Sequence, residues 1–155
     1  MLKISLFLHV ISAILWIGGM LFLTLVVAPF LKTIEDEKKR SEIYQVVGKR
    51  FRSLGWVAII VLLVTGPVNL YYMGITPSSL FSPSFYSTSY GMAIGLKISF
   101  VFLIVVTSLL HDFWLGPRAR TERRYSRLAL IFGRGNLIIA LIIVILAIFV
   151  RAGGI

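Results

Sequence analysis

Few residues of this chain can do chemistry in an apolar setting. Its 155 residues include two histidines, His9 and His111, no cysteine, and four methionines, three of them internal: Met20, Met73 and Met92. Lys97 lies inside a long apolar run, GMAIGLKISFVFLIVV. Imidazole nitrogen and thioether sulfur are ligands for haem iron and for Cu(I). A lysine ammonium pairs with carboxylates or passes a proton. Without cysteine there are no disulfides, iron–sulfur clusters, thiolate-bound metals or c-type haem attachment.

Helical spacing sorts these residues. His9, Ser12, Ala13, Trp16 and Met20 fall on one stripe of the run HVISAILWIGGM. Gly18 and Gly19 beside them allow a backbone or a flat ligand to come close. An ionisable group within a membrane span is costly and functional by default, so His9 is the leading ligand candidate, with Trp16 and Met20 lining its pocket. Lys97, Val101, Ile104, Ser108 and His111 form a second stripe. Lys97 either snorkels to the interface or faces inward as a catalytic or cofactor-binding cation. His111 is the weaker metal candidate, and a hydrogen bond to Asp112 or to backbone is its expected role. Arg118 is expected to join them in an interfacial polar cluster.

His9 and Lys97 are expected at similar depth near the outer face, and His111 near the inner face. Lys97 and His111 are fourteen residues apart, about 21 Å along a helix. Opposite ligands of one metal are only about 4 Å apart. The two histidines therefore cannot hold one ion within a subunit, and a second axial ligand would be Met, Lys or water. Met73 and Met92 are the candidates at the outer end, Met92 chiefly for copper. Arg151 and Lys3, also at that end, could meet porphyrin carboxylates or lipid phosphates.

The elements that position these residues are apolar spans. With 58% hydrophobic residues and a mean hydropathy of +0.94, the composition excludes an ordinary soluble domain. Four stretches are long enough to cross a bilayer, at about 4–28, 54–72, 92–115 and 135–151. The expected fold is all-α, a single four-span transmembrane helix bundle over residues 1–155. The net charge of +10 sits between the spans, where it is a topology signal and not a footprint for nucleic acid.

The segment Lys32–Arg52 carries seven Lys or Arg and Arg118–Arg134 carries six Arg, whereas Asn69–Leu96 carries no charge. The positive-inside rule then predicts a multi-pass protein of the inner (plasma) membrane with both termini outside the cytoplasm. The neutral loop Gly74–Tyr90 is expected to form an aromatic cap at the outer interface. Glu35 four before Lys39 and Asp36 four before Arg40 support a helix in the first basic segment. Pro67 is expected to free a carbonyl that Thr65 or Asn69 would satisfy. The G-x-x-x-G at Gly91–Gly95 permits close helix pairing, and with it a homodimer.

The runs HVISAILWIGGMLFLTLVVAP, KRFRSLGWVAIIVLLVTGPVNL and GLKISFVFLIVVTSLLHDFWLGPRA resemble the stand-alone CopD-domain proteins, named after copper resistance protein D. FGRGNLIIALIIVILAIFVRAGG fits the same pattern. That domain is similar to the HemJ-type protoporphyrinogen oxidases, small four-span haem b proteins in which a first-span histidine and a third-span lysine matter. His9 and Lys97 hold the matching positions, and Met73 lies near the place of a proposed second haem ligand. The chain departs from that family at TLVVAPF, where an arginine-containing run is usual.

The resemblance implies haem b, and oxidoreductase chemistry as porphyrinogen oxidation or electron transfer. It equally implies copper uptake or resistance beside a periplasmic copper protein. Three readings stand open: a haem b redox protein with His9 as axial ligand; a copper handler using His9, Met73 and Met92; and a non-catalytic scaffold. The lipid bilayer is a partner in all three.

Overall fold

The computed structural model describes residues 1–119 and 122–155, with Arg123 described by its backbone alone. Every regular element among the described residues is helical. Four helices are long and apolar enough to cross a membrane: Leu2–Lys32, Glu37–Tyr72, Ser89–Arg118 and Arg124–Ala152. Large side chains such as Phe7, Val64, Phe102 and Ile148 are more than 60% exposed. Water would not tolerate that much bare hydrocarbon, whereas lipid tails match it. The chain is an all-α, multi-pass membrane protein.

It folds as two compact helical units, Met1–Gly74 and Ile75–Ile155. In the first, α1 (Leu2–Phe22) runs through a wide turn at Leu23–Val27 into α2 (Ala28–Lys32), and α3 (Glu37–Tyr72) returns antiparallel. Asp36 starts α3 by accepting from the backbone N–H groups of Lys38 (2.9 Å) and Lys39 (3.2 Å). The basic segment thus leads into the second span as one continuous helix. Its charges pair differently from the expected i,i+4 ladder. Arg40 reaches Glu37 at 3.3 Å and the Ile34 carbonyl at 3.3 Å, because capping commits Asp36 to backbone.

The second unit begins with two short helices of the neutral loop, α4 (Pro77–Leu80) and α5 (Pro83–Tyr86). Next come α6 (Ser89–Leu109), a wide turn at Leu110–Leu115, α7 (Gly116–Arg118) and the returning α8 (Arg123–Ala152). The loop is structured by its hydroxyls. Thr76 meets Ser78 (2.7 Å) and Ser79 (3.0 Å), and Tyr86 donates to the Leu80 carbonyl at 2.6 Å.

The small-residue face Gly91–Gly95 is filled from this loop. A Cβ on Gly91 would overlap the Phe85 carbonyl, and one on Gly95 would lie 2.9 Å from the Tyr86 ring. Within the unit, this face seats the chain's own cap. At the far end, Gly153 adopts φ +101° and its neighbour Gly154 donates to the Phe149 carbonyl at 2.9 Å, which stops α8.

Both wide turns are single π turns that precede a proline. The Ala28 N–H bonds the Leu23 carbonyl just before Pro29, and the Gly116 N–H bonds the His111 carbonyl just before Pro117. A proline ring clashes with the carbonyl four residues back. Opening the ladder to five-residue spacing removes that clash without ending the helix.

Candidate functional site

Polar side chains are scarce in the apolar spans of the first unit, and α1 and α3 are joined there by two polar pairs. Ser5 donates to the Asn69 amide oxygen at 2.8 Å. Four residues further along α1 and four back along α3, His9 Nδ1 meets Thr65 Oγ1 at 2.8 Å. Trp16 lies beside Gly55, where a Cβ would stand 3.4 Å from the indole, and the Phe51 ring lies against Gly19. Antiparallel register thus brings Ser5 and His9 to polar partners and Trp16 and Phe51 to glycines of the facing helix.

The Thr65 hydroxyl has one proton, and the Val61 carbonyl one turn back takes it at 2.6 Å. Its oxygen must then accept from His9, so the imidazole is protonated at Nδ1. The lone pair rests on Nε2. Gly66 flanks the ring, and a Cβ there would be 3.8 Å from His9 Cε1. A histidine whose second nitrogen is held this way is oriented as metal-binding imidazoles are.

The sequence offers Thr65 or Asn69 for the carbonyl freed by Pro67. Instead Thr65 serves Val61 and His9, and Asn69 accepts from Ser5. The sequence signal for Thr65 lay in TGPVN, but its partner becomes visible only once the register across the hairpin is known.

Trp16 and Met20 are partly buried in the first unit, and Met73 caps α3 with 46% of its surface exposed. In the second unit, Met92 is 49% exposed and Arg151 is exposed in the last turn of α8. Lys97 is partly buried, on the same helix face as the buried Ile104 and Ser108.

His111 and Asp112 sit in the second π turn, with His111 Nδ1 2.7 Å from Asp112 Oδ1. That is the role expected for His111. Arg118, one turn further on, donates to the Trp114 carbonyl at 3.1 Å and lies over the Trp114 ring, 4.9 Å from its centre. Among the described residues, no three His, Cys, Asp or Glu side chains gather as a metal cluster.

Helical hairpins of this length, apolar on their outer faces and each holding a histidine on a polar partner, define a small multi-pass membrane protein. The family model for copper resistance protein D, CopD, matches residues 45–152. The chain belongs to the CopD family. The match takes in most of α3 and everything through α8, and leaves α1 with His9 outside it. A protein of Aquifex aeolicus (strain VF5), described as an uncharacterized protein, is 40% identical over 156 residues, covering 99% of this chain and 97% of that one. No solved structure matches the chain.

Proposed function

We propose that the protein is a haem b-binding redox protein of the CopD family, with His9 Nε2 as an axial ligand. The observation that carries this reading is the His9–Thr65–Val61 relay, which puts the imidazole proton on Nδ1. The donor set favours haem over a bare ion. A protein-bound metal ion needs about four donors, whereas a porphyrin brings four nitrogens and asks the protein for one or two. One oriented histidine suffices for the second case.

When bound, the haem supplies one-electron chemistry. Thr65 fixes the ring orientation of His9, and Gly66 lies beside the ring, where a Cβ would stand 3.8 Å from Cε1. Trp16 and Met20 continue the His9 stripe along α1 and would line the pocket. Lys97 and Arg151 are retained as cations of the function. The family's relation to HemJ-type oxidases, the inner-membrane location and the outward termini belong to the same reading. The test is the visible spectrum of protein purified from haem-replete cells. A Soret band that is absent from His9→Ala protein supports it; protein with no Soret band after haem supplementation overturns it.

Copper handling is the second reading, favoured by the family's description as copper resistance protein D. His9 and Met73 of the first unit would supply Cu(I) with one borderline and one soft donor. Copper retained at one ion per chain, lost in Met73→Leu protein and without a Soret band, would replace the first reading by this one.

A further inference from the structure

The second unit contains a polar group that its own residues leave unfinished. Asn136 in α8 is 6% exposed. Its Nδ2 donates to Ser108 Oγ at 3.1 Å, while its Oδ1 is buried without a hydrogen-bond partner among the described residues. A buried amide oxygen left this way costs about 1–3 kcal/mol. Where native proteins carry such a group, an ordered water is the usual remedy.

His111 stands one turn beyond Ser108 on its helix, and Gly133 one turn before Asn136 on α8. The Asp112 carboxylate accepts from His111 Nδ1 at 2.7 Å, so the neutral imidazole carries its lone pair on Nε2. That nitrogen faces Gly133, where a Cβ would lie 3.7 Å away. Two acceptors, Asn136 Oδ1 and His111 Nε2, therefore lie on neighbouring turns beside a position with no side chain. Two acceptors cannot bond each other, and a water molecule has two donors. A metal ion would find one nitrogen and one amide oxygen, short of the donors such ions take.

We propose that the second hairpin binds an internal water between Asn136 Oδ1 and His111 Nε2. The water completes a hydrogen-bonded chain from Ser108 through Asn136 and His111 to Asp112. Within it, His111, Asp112 and the water are groups of the kind that relay protons in membrane proteins, while Ser108 and Asn136 hold the water in place. It lies toward the end of the hairpin that carries Arg118 and Arg134. Gly133 is kept free of a side chain to leave the water its space.

The chain's two histidines make the test direct. Full-length protein labelled with 15N-histidine is placed in bilayers, and magnetisation transfer from water to the imidazole nitrogens is measured by solid-state NMR. His111→Gln assigns the signals. The expected result is water transfer to His111 Nε2 in the native protein, abolished in Asn136→Leu and reduced in Gly133→Ala, with the His9 signals unchanged. No transfer to His111 in the native protein would overturn the proposal, whatever the variants do. So would transfer that persists undiminished in Asn136→Leu, or a His111 signal that shifts when a chelator strips bound metal. Thermal melting in detergent adds an independent readout. A water-satisfied Asn136 makes Asn136→Leu less stable, whereas a truly orphaned oxygen makes it more stable.

Discussion

His9 and Thr65 are joined across the first hairpin by a 2.8 Å hydrogen bond in which the imidazole is the donor. The direction follows from Thr65 itself, whose proton is committed to Val61. The first prediction rests on that direction. Thr65→Val keeps the shape and removes the acceptor. It should weaken haem retention by about 10–100-fold, the usual cost of losing an outer partner of a ligating histidine. Thr65→Ser should retain most of it. Haem titration of the purified variants measures both.

His9→Ala should abolish cofactor retention, whereas His111→Ala should leave it and lower stability. His111 is already held by Asp112 at 2.7 Å, in a different hairpin from His9. Haem per protein after identical purification is the readout. Equal loss in the two variants would mean two cofactor sites in place of one.

Lys97 shares a helix face with buried Ile104 and Ser108. A snorkelling lysine would tolerate arginine, since both reach the interface. An inward ammonium would not, because a planar guanidinium needs more room and a different set of acceptors. Lys97→Arg and Lys97→Met are both expected to impair redox activity, with membrane insertion intact. A fully active Lys97→Arg protein with an unchanged reduced-minus-oxidised spectrum would return Lys97 to the role of anchor.

Gly91 and Gly95 seat the loop residues Phe85 and Tyr86. Gly91→Ala places a methyl group against a backbone carbonyl and should destabilise by about 1–3 kcal/mol. Gly95→Ala should cost less, since its obstacle is an aromatic side chain that can turn. Melting temperatures and protease sensitivity of the Gly74–Tyr90 loop would report the order. Equal costs would show that the loop's backbone is not the constraint.

Orientation can be read by cysteine labelling, because the chain contains no cysteine of its own. Ser79→Cys should react with an impermeant reagent in intact cells and Lys38→Cys should not. The reverse pattern would invert the topology argued from the loop charges.

The spans are legible in the sequence because membrane crossing is a matter of length and apolarity, both of which are local. The helical run that leads into the second span is legible too, although the charge pairs used to argue for it are not the ones that form. What could not be read is whatever depends on register. Thr65 opposite His9, Gly55 opposite Trp16 and Asn136 opposite Ser108 each join residues at least 28 positions apart. No periodicity within a single helix reports them. The Gly91–Gly95 pattern was legible as a close-packing face, but its occupant was not, because a short loop helix and a second chain can fill the same groove.

The π turns before Pro29 and Pro117 also bear on how the two leading helices are phased. Each holds one residue more than an α-helical turn needs, and one residue is worth about 100° of rotation. Side chains beyond the turn are therefore aimed one step around from where a regular helix would send them. Leu31, beyond the first turn, shows the outcome at 3% exposure, and Leu115, which closes the second turn, is 1% exposed. Removing a single residue from Leu23–Val27 would leave the apolar length of the span nearly unchanged while swinging Leu31 away from its place. The surplus residue in each turn works as a phase adjuster, letting the membrane half of a helix and its interfacial half satisfy different neighbours along one unbroken rod.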